Sequence, residues 1–212
     1  IDAIDNVNQN ALETLFASIA SDEVARDNLS QSDRNIDKVS TNSGVIQQLN
    51  NSEDAILKML TRREGRSPED FDSLDDVVSD SSLMSDIASR GESSRILSFS
   101  QKAMESAASL QSAMQTIIGT TTAINKVSES SVARSVIANT QTARDEVRGS
   151  SVAIAKYAAG AAGLNVSNIT DMSSISDNQS RSATIANNQE AMEQVALSEV
   201  AMDSLVQSTT SM

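Results

Sequence analysis

A ten-residue count in the placing of alanine constrains this chain more than any other feature. Ala103, Ala113, Ala123, Ala133, Ala143 and Ala153 fall on the same place of six successive units without a miss. Alanine supplies only 26 of 212 residues, so chance is a poor account of six consecutive hits and internal repetition is the first fact to explain. The next place is mostly apolar, with Met104, Met114, Ile124 and Ile154, but it is polar at Arg134 and Arg144. A further marker follows in the seventh place: Ala107, Ile117, Val127, Ile137, Val147 and Tyr157. The rest of each unit is rich in Ser, Thr, Asn and Gly.

Ten residues of straight α-helix turn about 1000°, about 80° short of three full turns, so an apolar stripe with this period drifts around a continuous helix. Following it with one coiled coil needs about 3.33 residues per turn, a tighter supercoil than heptads require. A helix that restarts is the alternative. Gly119-Thr120-Thr121-Thr122, Ser128-Glu129-Ser130-Ser131 and Gly149-Ser150-Ser151 combine helix breakers with N-cap residues. Helices of one or two turns do not stand alone, because nucleation is costly, so each unit needs a repeated neighbour. The fold class expected is therefore mainly α and fibrous: an elongated array of ten-residue short-helix/turn repeats. A parallel homotrimer is the preferred assembly, with a single-chain solenoid or a long coiled coil as alternatives. Its oligomer seam comprises Ala103, Met104, Ala113, Met114, Ile117, Ala123, Ile124, Val127, Ala133, Ile137, Ala143, Val147, Ala153, Ile154, Tyr157, Met192, Val195, Met202 and Leu205.

Followed by its paired apolar markers, the count extends along the chain. Ile4/Val7 and Phe16/Ile19 fit, with Leu12/Leu15 off register, and Arg26/Leu29, Ile36/Val39, Ile46/Leu49 and Ile56/Met59 recur at ten. Residues 1–60 read as a degenerate, acidic repeat segment. An interruption at 61–73 reads as an elbow or linker. Ser52-Glu53-Asp54 starts a helix over 53–64 that ends before Gly65, and Ser67-Pro68-Glu69-Asp70 reads as the start of another. Residues 74–212 read as the regular shaft, with a register slip near 162–169 beside Gly160 and Gly163; Met172/Ile175, Met192/Val195 and Met202/Leu205 resume the count. Ile1 and Met212, the latter on a marker place, suggest a segment of a longer polypeptide.

Composition narrows the function classes. Aromatic residues are 2% of the chain and Trp is absent, so the apolar side chains suit thin seams better than a thick core. The net charge of -13 opposes nucleic acid and anionic membrane as partners. That charge is uneven, with 19 Asp/Glu against 9 Lys/Arg in residues 1–100, or -10, and 10 against 7, or -3, in the remainder. With no Cys and no His, thiolate chemistry and the commonest general base are missing, and no apolar run reaches the length of a membrane span.

Ser112-Ala113-Met114, Glu190-Ala191-Met192-Glu193-Gln194-Val195-Ala196 and Val200-Ala201-Met202-Asp203-Ser204-Leu205-Val206 resemble the Ala-Met-x-x-Val-Ala repeats of tail-fibre proteins of tailed bacteriophages and other prokaryotic viruses. The resemblance covers about 74–212, extends weakly over residues 1–60, and departs at Arg134, Arg144 and Ser182. It implies a non-enzymatic shaft of a viral tail or head fibre, located in the virion, partnered with itself and with other virion proteins, and without a cofactor. The stalk of a prokaryotic surface adhesin, at the cell surface, is the alternative.

Asp70, Asp72, Asp75 and Asp76 form the densest carboxylate group and the one candidate for Ca²⁺, although they lack the glycine and terminal Glu of an EF-hand loop. A solvated acidic first turn after Pro68 is the better reading of them, so no metal is assigned. Asp145-Glu146 reads as a solvent-facing pair, the serines as caps and turns, and the methionines of the repeat as core.

Overall fold

The computed structural model describes residues 14–15, 18–19, 21–50, 52–196 and 198–210. The markers Ile4, Val7, Leu12 and Phe16, and Met212, lie outside them. The described residues are mainly α-helical and hold no strand. Among the described residues, the stretch from Glu23 to the elbow forms α1 (Glu23–Ser30), α2 (Asp33–Ser40), α3 (Ser43–Leu49) and α4 (Glu53–Arg63). After a 3-10 turn at Pro68–Asp70 come α5 (Leu74–Ser79), α6 (Ser81–Ser89), α7 (Gly91–Phe99), α8 (Gln101–Ser109), α9 (Gln111–Gly119), α10 (Thr121–Glu129), α11 (Ser131–Asn139), α12 (Gln141–Arg148) and α13 (Ser151–Ala161). A second 3-10 turn, Val166–Asn168, leads to α14 (Ser173–Ser176), α15 (Gln179–Ala186), α16 (Gln189–Val195) and α17 (Glu199–Thr210).

From α6 to α11 the helices are nine residues long and separated by one residue. That residue is at once the C-cap of one helix and the N-cap of the next. Ser100 has φ -89° and ψ 116°; its N–H donates to the Ile96 carbonyl at 3.1 Å, and its own carbonyl accepts from Met104 at 3.0 Å. A single ψ change thus redirects the chain while both flanking backbone groups stay bonded, which is why a break every ten residues is tolerable. Asp80, Ser100 and Ser130 add a side-chain acceptor for the N–H groups that the new helix leaves open.

The redirected helices pack on those three units further on. One column runs α1, α4, α7, α10, α13 and α16; a second runs α5, α8 and α11; a third runs α6, α9 and α12. The alanine place and the seventh place face inward: Ala103, Ala113, Ala123, Ala133, Ala143 and Ala153 are fully buried, as are Ile117, Val127 and Val147. Covering a patch with a helix of the same chain removes the need for a second chain.

These contacts overturn the elongated fibre, and with it the extended seam of a trimeric shaft, the single-chain solenoid and the long coiled coil as the architecture of this chain. A solenoid unit touches only its neighbours. Here helices remote in sequence pack together, and side chains bond across 50 residues (Ser100 to Asn50) and 56 residues (Arg134 to Glu190). The accessible surface is 9674 Å²; a compact monomer of this length exposes about 9,400 Å² by size scaling. The chain is a compact, wound α-helical bundle, and its likeness to fibre repeats goes no further than composition and period.

The two longest helices before the irregular turns end alike. Gly65 and Gly163 adopt φ +70° and +71°, and the residue after each donates back to the helix, Arg66 to Thr61 at 2.9 Å and Leu164 to Ala159 at 2.8 Å. Only glycine takes that conformation without strain, so the chain changes course at these two positions. The helix expected from Pro68 does not form there: Pro68–Asp70 makes one 3-10 turn, and α5 begins at Leu74 with Ser73 as its cap.

Candidate functional site

The structure gathers ionisable groups in three places, two of them internal. On α11, Arg134 is 8% exposed; its Nε donates to Glu190 at 2.7 Å and its Nη1 to the Ser128 carbonyl at 2.7 Å. On α13, Lys156 is 4% exposed and its Nζ reaches Asn125 Oδ1 at 2.7 Å and the Val166 carbonyl at 2.9 Å, tying the second 3-10 turn to α10. Burial lowers the Lys156 pKa from its ordinary value, since neither acceptor carries a charge. Burial likewise pushes the Tyr157 phenol up, with Arg134 pulling slightly the other way, and neither the Tyr157 nor the Ser128 hydroxyl has a hydrogen-bond partner among the described residues. Beside them α13 touches α10 closely enough that Gly160 has no room for a side chain: a Cβ there would lie 1.9 Å from the Ser128 carbonyl oxygen.

The second internal place is the elbow. The Glu64 side chain is 2% exposed, paired with Arg90 at 3.1 Å and accepting from the Ser93 hydroxyl. Arg63 lies 2.9 Å from Asp37, 3.6 Å from Asp33 and 4.0 Å from Glu92. The Arg63–Asp37 approach is a contact of charges without hydrogen-bond alignment, because the buried Asp37 Oδ1 makes no hydrogen bond among the described residues. Arg62 donates to Ser30 at 2.7 Å, so the dibasic end of α4 holds α1 and α2 in place.

The third place is open. A cleft of about 460 Å³ lies between α4 and the turn that follows it, lined by Glu53, Asp54, Leu57 and Lys58 on one side and Pro68, Glu69, Phe71 and Asp72 on the other. The i, i+4 spacing of a helix puts Glu53 beside Leu57 and Asp54 beside Lys58 on one face. Lys58 is paired with Asp54 at 3.0 Å. Glu53 Oε1 accepts from the Leu74 N–H at 3.2 Å, which fixes the far wall. Glu69 has its pKa lowered, chiefly by the Ser67 hydroxyl that donates to it, with Arg62 and Lys58 adding to the effect. A second cleft, about 400 Å³ between α8 and α11, is walled by Gln101, Glu105, Ser131, Ser135, Asn139 and neighbours, and only Glu105 among its lining residues is charged.

The four aspartates singled out for calcium do not converge. Asp76 accepts from the Asp72 N–H at 3.1 Å and from the Ser73 hydroxyl at 3.1 Å, which makes it part of the start of α5. Asp70, Asp72 and Asp75 point to solvent, and among the described residues no three acidic side chains come close enough to share a metal ion.

The residues expected to form an oligomer seam are placed inside the one chain. Ala103, Met104, Ala113, Met114, Ile117, Ala123, Ile124, Val127, Ala133, Ile137, Ala143, Val147, Ala153, Ile154, Tyr157, Val195 and Leu205 are buried there, and Met192 and Met202 pack half-buried against the same core. Of the polar departures from the repeat, Arg134 and Ser182 are buried and bonded, Ser182 to the Ile175 carbonyl at 2.9 Å, while half-buried Arg144 donates to the Ala138 carbonyl at 2.6 Å. Among the described residues the exposed large apolar side chains are Leu15, Val24, Val200 and Val206.

Sequence reasoning missed the open cleft, Lys156 and the elbow pairs. The elbow itself was legible from Gly65 and Ser67-Pro68, and the Arg62-Arg63 doublet beside Glu64 is the linear signal for the charge pairs that gather there. No helix among the described residues is long and apolar enough to cross a membrane. Comparison with protein-family models and with curated proteins finds no match. The viral-fibre and adhesin readings therefore have neither a relative nor an elongated shape behind them, and the virion or cell-surface setting that came with them has no support of its own.

Proposed function

We propose that this chain is a non-enzymatic docking scaffold, a rigid helical body whose acidic N-terminal half receives a basic partner. One observation carries the reading: the ionisable side chains divide by place. Those inside, Arg134, Lys156 and Glu64, tie together helices distant in sequence, whereas the open cleft beside α4 carries four carboxylates against one ammonium. Internal charges used this way fix shape. A surface carrying one sign of charge speeds the approach of the opposite sign and repels phosphate and anionic lipid. Any self-association has to use exposed surface, because the alanine and methionine rows are covered within the chain.

The test is calorimetric titration with polylysine, polyglutamate and duplex DNA at low and moderate salt. Polylysine is expected to bind, more weakly as salt rises, and the two polyanions to give no heat of binding. Indifference to polylysine at low salt refutes the scaffold.

A further inference from the structure

We propose that the cleft beside α4 docks a short peptide segment of a partner protein in which one apolar side chain is flanked by lysine or arginine; this rests on the docking-scaffold reading above. The cleft has two kinds of wall. Its floor is apolar: Leu57 and Pro68 are buried, and Phe71 is half-buried and packed against the core. Its rim is anionic, with Glu53, Asp54, Glu69 and Asp72 against Lys58, whose side chain is only 13% exposed and held by Asp54, and against Arg62, which approaches Glu69 to 4.0 Å from outside the cleft lining. The exposed carboxylates of Asp70 and Asp75 extend the same charge beyond the rim.

Each competing occupant meets an obstacle. A cation alone finds, among the described residues, no trio of carboxylates close enough to ligate it. Phosphate groups of nucleic acid or lipid meet carboxylates on both walls. A purely apolar segment covers the floor but leaves the rim charges facing one another across a narrower gap. A segment with one apolar residue between basic ones fills the floor and neutralises the rim together. At about 460 Å³ the cleft is within the usual range of ligand pockets. Its walls are pinned before anything binds: Pro68 fixes the turn, Glu53 holds the Leu74 N–H, and the Ser67 hydroxyl holds Glu69. Little ordering is left for the binding step, which favours affinity in a small site.

Fluorescence anisotropy with two labelled probes, Lys-Lys-Leu-Lys-Lys and Lys-Lys-Ser-Lys-Lys, tests this on the full chain. The leucine probe is expected to bind more tightly. The double variant Glu69→Gln/Asp72→Asn is expected to weaken both probes by about fivefold, whereas Glu105→Gln/Glu129→Gln, which removes equal charge elsewhere, changes binding less than about twofold. Phe71→Ser is expected to abolish the preference for leucine, and circular dichroism checks that each variant is folded. Should Phe71→Ser lose its fold, the paired charge variants, all exposed, still decide. Equal weakening by the two charge pairs, or equal binding of the two probes by the parent chain, overturns the cleft and leaves the scaffold standing. No binding of either probe at low salt overturns both.

Discussion

Gly160→Ala is the sharpest test of how the helices pack. Gly160 lies near the end of α13, and an added Cβ would sit 1.9 Å from the Ser128 carbonyl oxygen, 2.7 Å from its carbon and 3.4 Å from its Cβ. Carbon and carbonyl oxygen approach to about 3.3 Å at the closest, so the two backbones have to part by about 1.4 Å along that line. The obstacle is main chain on a neighbouring helix, so no rotamer change relieves it. Overpacking of this kind costs about 1–3 kcal/mol. Alanine returns about 1 kcal/mol of helix propensity, but separating α10 from α13 also loosens the core around the buried Tyr157 and Ser128. A net loss of about 2 kcal/mol is expected, which for a chain of this length lowers Tm by about 4–8 °C.

Gly119→Ala is the matched control. Gly119 is the last residue of α9, and a Cβ there meets nothing within 4 Å. Its Tm is expected to stay level or rise by a degree or two, on the order of the propensity gain. Thermal and urea melts followed by far-UV circular dichroism measure both. If Gly160→Ala melts with the parent chain, α10 and α13 do not meet as described and the third-neighbour packing is wrong.

Ser130→Ala removes both the cap accepted from Ala133 N–H at 3.2 Å and the bond given to the Ser98 carbonyl at 2.7 Å. It is expected to cost about 2 kcal/mol, against about 1 kcal/mol for Ser150→Ala, which loses only a cap; equal urea midpoints would remove the cross-helix bond from the account. Ala133→Glu places a carboxylate at a fully buried position and is expected to cost several kcal/mol or to prevent folding, whereas Glu129→Gln, exposed and paired only with Lys126, shifts stability by about 0.5 kcal/mol or less. Alkaline stability carries two opposed signs. Burial holds the folded pKa of Lys156 below 10.5, so between that value and 10.5 the unfolded chain holds more protons and stability rises with pH. Tyr157 is pushed above 10.0, so past 10.0 the unfolded chain loses a proton that the folded chain keeps, and stability falls. Urea titrations from about pH 8 to 11 should show Lys156→Met flattening the rise and Tyr157→Phe flattening the fall.

The mainly α character and the places of the buried side chains were legible in the count of ten, because the alanine and seventh places are a statement about which face of a helix is apolar. What covers that face was not legible. The answer depends on the angle at each break, and the break residues carry no common chemistry: Leu110, Thr120 and Thr140 have φ within 2° of one another, from -109° to -111°, and ψ from 116° to 119°. The same turn from leucine and threonine means that the packing of the flanking helices sets it, and packing is not written in any one residue. The cleft was hidden for a related reason. The linear text groups Asp70 with Asp72, Asp75 and Asp76, but the fold gives Asp76 to the start of α5 and sets Asp72 and Glu69 across from Glu53 and Asp54.

A count of ten leads to a self-covering body once the break is a single extended residue. A nine-residue helix is about 13.5 Å long, too short to bury its apolar face against the next one in line and short enough for the chain to turn again almost at once. Bonds that cross between layers show the circuit that results. Ser130 reaches Ser98 and Arg62 reaches Ser30, each 32 residues away, and Lys156 reaches Asn125 at 31. Three units and a residue or two bring the chain back over itself, so the patch laid down by one unit meets the patch laid down three units later. A trimer of identical chains built on these rows would need the patches turned outward along a common axis, and ψ values of 116° to 119° at the breaks from Ser100 to Thr140 turn them inward. A change that straightened one break, such as Leu110→Ala with its strong helix propensity, removes the turn only if helix propensity outweighs the buried faces on either side. Propensity is worth less than about 1 kcal/mol per residue and each buried methionine or isoleucine about 2 kcal/mol, so the break is expected to survive the substitution.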